Sequence, residues 1–315
     1  MHTIFIDGQQ GTTGLQIHQR LAERADLEVL QIPPEQRKDQ AVKRDYLNRA
    51  DLVILCLPDP AAREAVALIE NPAVRVIDAS TAHRVADGWV FGLPELSPAQ
   101  REAVRGARRV ANPGCHATGF LCAAAPLVAV GVVPADYPFS VTSLTGYSGG
   151  GRQMIESYEA HDRDADGPLA CRPYALGLRH KHLPEMQRHA GLAYPPLFEP
   201  CVGDFYAGMV VSVPLHTRLL PARVTPGEVA ELLAGHFAGQ PFVTVAPYAS
   251  DRFPDDGFLS PTARNGSNGL DLFVFGHAEQ ILVCARFDNL GKGASGAAVQ
   301  NLNLMLGKEE TTGLT

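Results

Sequence analysis

Short apolar runs, separated by stretches with a helical spacing of apolar positions, set the pattern of the first third of the chain. Thr3-Ile4-Phe5-Ile6 reads as a buried strand, Thr13 to Ala25 as a helix, and Leu27-Glu28-Val29-Leu30-Gln31-Ile32 as a second strand. The alternation continues with a polar helix near Gln40 to Arg49, the apolar strand Leu52-Val53-Ile54-Leu55-Cys56-Leu57, a helix near Pro60 to Ile69 and the strand Val74-Arg75-Val76-Ile77-Asp78. Strands buried on both faces and each followed by a helix predict βαβ units, hence a Rossmann-type parallel sheet. Such sheets hold ligands at the C-terminal ends of their strands. Chemistry is therefore sought in the loops after strands.

From Phe139 onward the runs lengthen, as in Phe139-Ser140-Val141-Thr142-Ser143-Leu144, Met209 to Leu215 and Ile281 to Phe287. They predict a mixed or antiparallel sheet in a second, α+β domain for catalysis and oligomerisation. The last helix, Gly296 to Leu306, carries Val299, Leu302, Leu304 and Leu306 on a mainly buried pattern and is expected to pack back on the first domain. The expected organisation is a dinucleotide-binding domain over residues 1–113, a second domain over 114–292, and a return over 293–315.

With 315 residues, 45% hydrophobic and 19% charged, the chain has material for two cored domains. A net charge of -7 without any block of like charge argues against nucleic acid as a partner. Met1-His2-Thr3-Ile4 runs straight into a strand, and no apolar run reaches transmembrane length, so a cytoplasmic protein is expected, with no membrane partner. The six cysteines form no Cys-x-x-Cys pair, and free thiols with no structural metal site are expected.

One of those thiols stands out. Asn112-Pro113-Gly114-Cys115-His116-Ala117 follows the short strand Ala107 to Ala111 and precedes an apolar helix from Ala117 to Val130. A cysteine in a first helical turn meets free amide hydrogens and the positive end of the dipole, which favour the nucleophilic thiolate. The alternative, a small buried hydrophobe, describes Cys122 on the same helix. The first strand ends in Asp7-Gly8-Gln9-Gln10-Gly11-Thr12-Thr13-Gly14, a glycine-rich strand-to-helix turn of the kind that lets a pyrophosphate approach the helix amides; a plain tight turn is the alternative. After the second strand come Ile32-Pro33-Pro34-Glu35-Gln36-Arg37-Lys38. The missing acid at the strand tip and the two cations favour a 2'-phosphate, hence NADP, although the charges also fit a solvated helix start.

A thiolate together with a nicotinamide cofactor points to sulfur attack on an activated acyl group, a thioester, and hydride transfer to give an aldehyde. That chemistry needs an acid or base near sulfur, donors for the oxyanion and cations for a phosphate leaving group. Arg179-His180-Lys181-His182-Leu183-Pro184-Glu185 offers two histidines which, in an extended segment, would share one face; a polar surface turn is the plainer reading. His216, at a strand end, reads as a structural histidine. Ser80 and Arg84 in Asp78-Ala79-Ser80-Thr81-Ala82-His83-Arg84, and Ser148, Gly149 and Arg152 in Ser148-Gly149-Gly150-Gly151-Arg152, are candidates for holding an anion. Asp288-Asn289-Leu290-Gly291-Lys292-Gly293-Ala294-Ser295-Gly296 leads into the last helix, with Ser295 or Asn289 as its expected cap if it is only a connector.

Taken together, these motifs resemble those of the N-acetyl-gamma-glutamyl-phosphate reductases in their shorter, type 2 form, relatives of the aspartate-semialdehyde dehydrogenases. The resemblance implies NADPH-dependent reductive dephosphorylation of an N-acetylglutamyl phosphate to the semialdehyde, a step of arginine biosynthesis. It also implies Cys115 as nucleophile, His180 and His182 as acid-base and orienting groups, and Gly8, Gly11, Thr12, Thr13, Gly14, Arg37, Ser80, Gly291 and Lys292 toward the cofactor. Arg84, Asn112, Ser148, Gly149 and Arg152 would face the substrate. A homodimer or homotetramer is expected on the same ground. The Ala82-His83 pair departs from the longer enzymes and leaves the role of His83 open. The rival readings are an aspartate-semialdehyde dehydrogenase, whose amine-bearing substrate would call for carboxylates, and a non-catalytic NADP-binding sensor, which has no need of Cys115.

Overall fold

The computed structural model describes residues 1–8, 11–37, 39–249 and 254–315. Gln9, Gln10 and Lys38, used in the reading above, lie outside the described residues. The chain forms two compact units, Met1–Pro113 with Ala294–Leu314, and Gly114–Gly293 with Thr315.

The first unit runs β1 (His2–Asp7), α1 (Thr12–Leu21), β2 (Leu27–Leu30), α2 (Gln40–Arg49), β3 (Leu52–Leu55), α3 (Asp59–Ala67), β4 (Arg75–Asp78), β5 (Val90–Phe91), α4 (Pro98–Gly106) and β6 (Arg109–Ala111). Its six strands are ordered β2-β1-β3-β4-β6-β5, and every pairing is parallel. Alternate residues of β1 feed opposite faces, as the strand period of two requires. Ile4 and Ile6 pack with Ile17, Leu21 and Leu302 on one face, while Phe5 packs with Leu47, Val53 and Ala65 on the other. The final helix, Gly296–Met305, is buried along its whole length and supplies Ala298, Val299 and Leu302 to the first of these clusters. Asp39 caps α2 through the amides of Ala41 and Val42. The strand order reverses at β1 and β3, which makes the ends of these two strands the ligand position of the sheet.

In the second unit the order is α5 (Cys115–Ala129), β7 (Ser140–Gly146), α6 (Arg152–Glu159), α7 (Arg163–Asp166), β8 (Arg172–Pro173), α8 (Leu183–His189), β9 (Leu197–Gly203), β10 (Met209–His216), α9 (Pro226–His236), β11 (Val243–Val245), β12 (Leu270–His277) and β13 (Gln280–Phe287). The sheet order is β11-β12-β13-β10-β7-β9-β8. It is mixed: β7 with β9 and β11 with β12 are parallel, and the remaining pairs are antiparallel. Helix α5 begins two residues before the expected Ala117, so the thiol is its first residue. Gly119 lets it lie directly on the sheet, since a Cβ there would stand 2.5 Å from Val211 Cγ2 and 2.8 Å from Phe287 Cε1.

Candidate active site

Five aromatic side chains and a thiol meet where α5 starts. Cys115 is the first residue of the helix and is partly exposed, while His116 behind it is buried. The His116 ring is held at both nitrogens, Nδ1 at 2.8 Å from Ser143 Oγ on β7 and Nε2 at 2.9 Å from Tyr174 Oη just past β8. Its centroid lies 5.3 Å from those of His180 and His182 and 5.1 Å from that of Phe198. Burial, reinforced by the positive charges of His180 and Lys181, pushes the His116 pKa down to about 3, so this imidazole is neutral at physiological pH. The same burial, with the nearby Cys115, holds the Tyr174 phenol well above its usual range.

His180 and His182 come together, but not as alternate residues of an extended segment. Pro184 opens α8, and the chain before it turns: the Leu183 amide donates to His180 O at 3.1 Å, and the His182 amide donates to His180 Nδ1 at 3.1 Å. The turn sets the two rings edge to face, 4.6 Å apart. A donor atom from each of Cys115, His116 and His182 falls within 4.8 Å of the other two. His182 thus belongs to the thiol's own group. Its Nε2 faces Glu185 Oε1 at 4.0 Å. Glu185, 1% exposed, accepts the Gly114 amide at 3.0 Å through Oε2, so one carboxylate ties the start of α5 to the start of α8. Sequence reading gave no role to His116, Glu185 or Tyr174. The first two carried a signal, one beside the thiol and one in the histidine motif, whereas Tyr174 carried none.

The returning segment closes in on the sulfur. A Cβ on Gly293 would stand 2.8 Å from Cys115 Cβ, and one on Gly291 would stand 2.2 Å from Ser267 O, so glycine is needed at both. Lys292 between them is fully buried and lies 5.8 Å from the Phe242 ring centre. The expected capping by Asn289 or Ser295 does not occur. A π-helical turn, Gly291–Ser295, leads into the final helix, and Ser295 Oγ donates instead to Gln16 Oε1. Asn289 accepts the Gly208 amide at 2.7 Å and donates to Ser148 Oγ at 3.0 Å, which fixes Ser148 with the partly open Gly149 turn beside it. Arg152 is 81% exposed, and its Nε pairs with Glu156 at 2.6 Å on its own helix. His216 ends β10, its amide donating to Tyr137 Oη at 2.7 Å.

In the first unit a cavity of about 400 Å³ opens at the ends of β1 and β3, lined by Asp7, Gly8, Gly11, Ile32, Arg37, Lys43, Cys56 and Pro58 among others. Gly8 has φ +91°, and a Cβ on it would stand 2.3 Å from Cys56 O, so only glycine fits the turn. Gly11, the N-cap of α1, has no side chain to offer, and the amides of Thr12, Thr13 and Gly14 are placed to meet an anion. These features fit a dinucleotide pyrophosphate, with the cations Arg37 and Lys43 in the lining; Lys43 also contacts Asp7 Oδ2 at 2.7 Å.

The loop after β4 is knitted to itself. Ser80 Oγ donates to Asp78 Oδ2 at 2.7 Å, and the same oxygen meets His83 Nδ1 at 2.5 Å. His83 stacks on Trp89 with centroids 4.1 Å apart, which gives this residue a scaffolding role. Arg84 is buried, donating to the carbonyls of Asn112 and Ala79. Asn112 is also engaged, giving Nδ2 to Ala294 O and taking the Asn301 amide on Oδ1, both at 3.0 Å.

Comparison with known proteins agrees with this anatomy. Residues 115–289 match the semialdehyde dehydrogenase, dimerisation domain, and residues 33–104 match the semialdehyde dehydrogenase, NAD binding domain. The fold is that of aspartate-semialdehyde dehydrogenase II from Vibrio cholerae, TM-score 0.73 at 16% identity over 97% of this chain and 98% of that one. It is equally that of the Candida albicans aspartate-semialdehyde dehydrogenase solved with NADP, TM-score 0.68 at 15% identity over 97% and 98%. Sequence similarity is far higher elsewhere. The chain is 49% identical over 317 residues to N-acetyl-gamma-glutamyl-phosphate reductase 2 of a Nostoc species, covering 99% of this chain and 98% of that one. It is 52% identical over 306 residues to N-acetyl-gamma-glutamyl-phosphate reductase of Burkholderia ambifaria, covering 96% of each. Similarity of that depth along both chains places this protein in the N-acetyl-gamma-glutamyl-phosphate reductase family, within the semialdehyde dehydrogenases.

Proposed function

We propose that the chain reduces N-acetyl-L-glutamyl 5-phosphate to N-acetyl-L-glutamate 5-semialdehyde with NADPH, through a thioester on Cys115. The observation that carries this reading is the thiol at the first residue of α5 with His182 in its own cluster and Glu185 behind that histidine. His182 takes the thiol proton; the thiolate adds to the acyl carbon, and the C–O bond to phosphate breaks, releasing inorganic phosphate. Bound NADPH supplies the hydride. The resulting thiohemiacetal anion collapses to aldehyde and thiolate, and the proton held on His182 returns to sulfur. Gly293 packs directly on Cys115 and leaves no room for a side chain beside it. His180 acts as a positioning residue, its Nδ1 accepting the His182 amide.

An aspartate-semialdehyde dehydrogenase activity is disfavoured because likeness to those enzymes is at the level of fold, 15–16% identity. A binding-only sensor is disfavoured by the assembled thiol cluster. A homo-oligomer formed through the second unit is supported by its match to a dimerisation domain. The deciding experiment incubates the protein with the acyl phosphate in the absence of NADPH and looks by mass spectrometry for an acyl adduct on Cys115. The adduct is expected in the native enzyme and absent in Cys115→Ser. Turnover in His182→Asn is expected to fall by about 10²- to 10⁴-fold, the usual contribution of a positioned acid or base, and less in His180→Asn. Undiminished activity in Cys115→Ser would end the thioester mechanism.

A further inference from the structure

The cysteine spacing predicts no metal site, yet the fold assembles a soft donor set that spacing does not reveal. Cys115 Sγ and one ring nitrogen from each of His116 and His182 all lie within 4.8 Å of one another. We propose that this group is a binding site for a thiophilic divalent cation of the zinc type, and that the bound cation reversibly inhibits the enzyme by occupying the thiolate.

The donor chemistry comes first. One thiolate and two imidazoles form a set that favours zinc over magnesium or calcium, which take oxygen ligands. Geometry agrees with it. Zinc bonds of about 2.3 Å to sulfur and about 2.0–2.1 Å to nitrogen in a tetrahedron place donor atoms roughly 3.3–3.6 Å apart. The observed spread of up to 4.8 Å is therefore closed by side-chain rotation of little more than an ångström. The surroundings also match a metal-ligating arrangement. His116 is held by Ser143 Oγ on Nδ1 and Tyr174 Oη on Nε2, so one of these can yield its nitrogen to the cation while the other keeps the ring oriented. Glu185 stands 4.0 Å from His182 Nε2, where a carboxylate can orient and polarise a ligating histidine. Three protein ligands leave a fourth position for water, and the partly exposed Cys115 gives the ion access. A coordinated sulfur has its lone pair on the metal and cannot attack an acyl carbon, so occupancy and catalysis exclude each other.

Cobalt(II) is the probe, because its thiolate charge-transfer and ligand-field bands report sulfur ligation and four-coordination directly. Protein kept reduced with a non-chelating phosphine is titrated with cobalt(II) without substrate or NADPH. One equivalent per chain is expected to bring up both bands. Cys115→Ser and Cys115→Ala are expected to abolish the charge-transfer band, and His182→Ala to weaken the ligand-field bands. Cys171 is exposed and its thiol pairs with that of Cys201, so the double variant Cys171→Ser/Cys201→Ser checks the other thiol pair and is expected to keep both bands. Zinc is then expected to displace cobalt and to abolish NADPH oxidation, with EDTA restoring it. A charge-transfer band that survives in both Cys115 variants, or disappears in the Cys171/Cys201 variant, overturns the proposal, as does its absence in the native protein. The spectra need no turnover, so failure of the assigned reaction and failure of the metal site are read separately.

Discussion

Replacing Gly8 by alanine isolates what the first strand-to-helix turn demands. Two penalties add. The backbone sits at φ +91°, which costs an L-residue about 1–2 kcal/mol. The new methyl group would stand 2.3 Å from the carbonyl oxygen of Cys56, at the end of the neighbouring strand, and relieving such overpacking costs about 1–3 kcal/mol. The sum, about 2–5 kcal/mol, is below the ~5–15 kcal/mol of a typical fold, so the variant folds but is weakened. Gly307→Ala supplies the comparison: its φ is +66°, but nothing lies within 4 Å of the added carbon, so only the backbone penalty applies. Urea unfolding followed by the emission of Trp89, the single tryptophan and a residue of the first unit, reads both. The Gly8→Ala midpoint is expected to drop well below that of Gly307→Ala. The same methyl pushes on the wall of the dinucleotide cavity, so NADPH binding by fluorescence titration is expected to weaken about tenfold or more in Gly8→Ala, equivalent to about 1.4 kcal/mol, and to hold in Gly307→Ala. Equal urea midpoints for the two variants would refute the steric argument, and unchanged NADPH affinity in Gly8→Ala would refute its link to the cofactor.

Other positions give independent checks. His116 has a folded pKa of about 3 against an unfolded value near 6.5, so the unfolded chain binds the extra proton; stability is full above about pH 6.5 and is lost progressively as pH falls toward 3. His116→Gln is expected to flatten that part of the urea midpoint-versus-pH curve, and an unchanged slope would mean that His116 is protonated in the fold. In Gly119→Ala, a gain in helix propensity of about 1 kcal/mol opposes overpacking against Val211 and Phe287 of about 1–3 kcal/mol, and a net fall in thermal midpoint is expected; a rise would show that α5 can lift off the sheet. Glu185→Gln keeps an acceptor for the Gly114 amide but removes the charge facing His182, so kcat is expected to fall by about 10- to 10²-fold with the urea midpoint unchanged; native kcat would take the carboxylate out of the chemistry.

Much of the first unit was legible because its signal is local. Strands such as Leu52–Leu55, buried at every position, can sit only inside a two-sided parallel sheet, and β1, β2 and β3 are each followed by a helix before the next strand. The element ends were less legible. Helix α1 stops at Leu21 rather than Ala25, where the Arg24 amide turns back to Leu21 O, and the two-residue strand β5 is too short for any periodicity to show. In the second unit the long strands were visible, but their order was not. Pairing β7 in parallel with β9 while β10 lies antiparallel on its other side is decided by contacts between residues far apart in the chain, and nothing in a single strand's pattern encodes its neighbours.

The site divides along the same line, and the division shows where the surroundings of the two histidines differ. Cys115 announced itself through Pro113, Gly114 and an apolar helix, all within a few residues. His180 and His182 are equivalent on periodicity, because both are polar and two apart. What separates them is a turn fixed by Pro184 and a carboxylate one helical turn further on. Glu185 cannot be recognised as a partner of Gly114 from the sequence, since the two are 71 positions apart. Once that bond is made it has an electrostatic consequence. A carboxylate at the Gly114 amide, just before α5, offsets part of the helix-end charge, a contribution of about 0.3–1 kcal/mol at such ends.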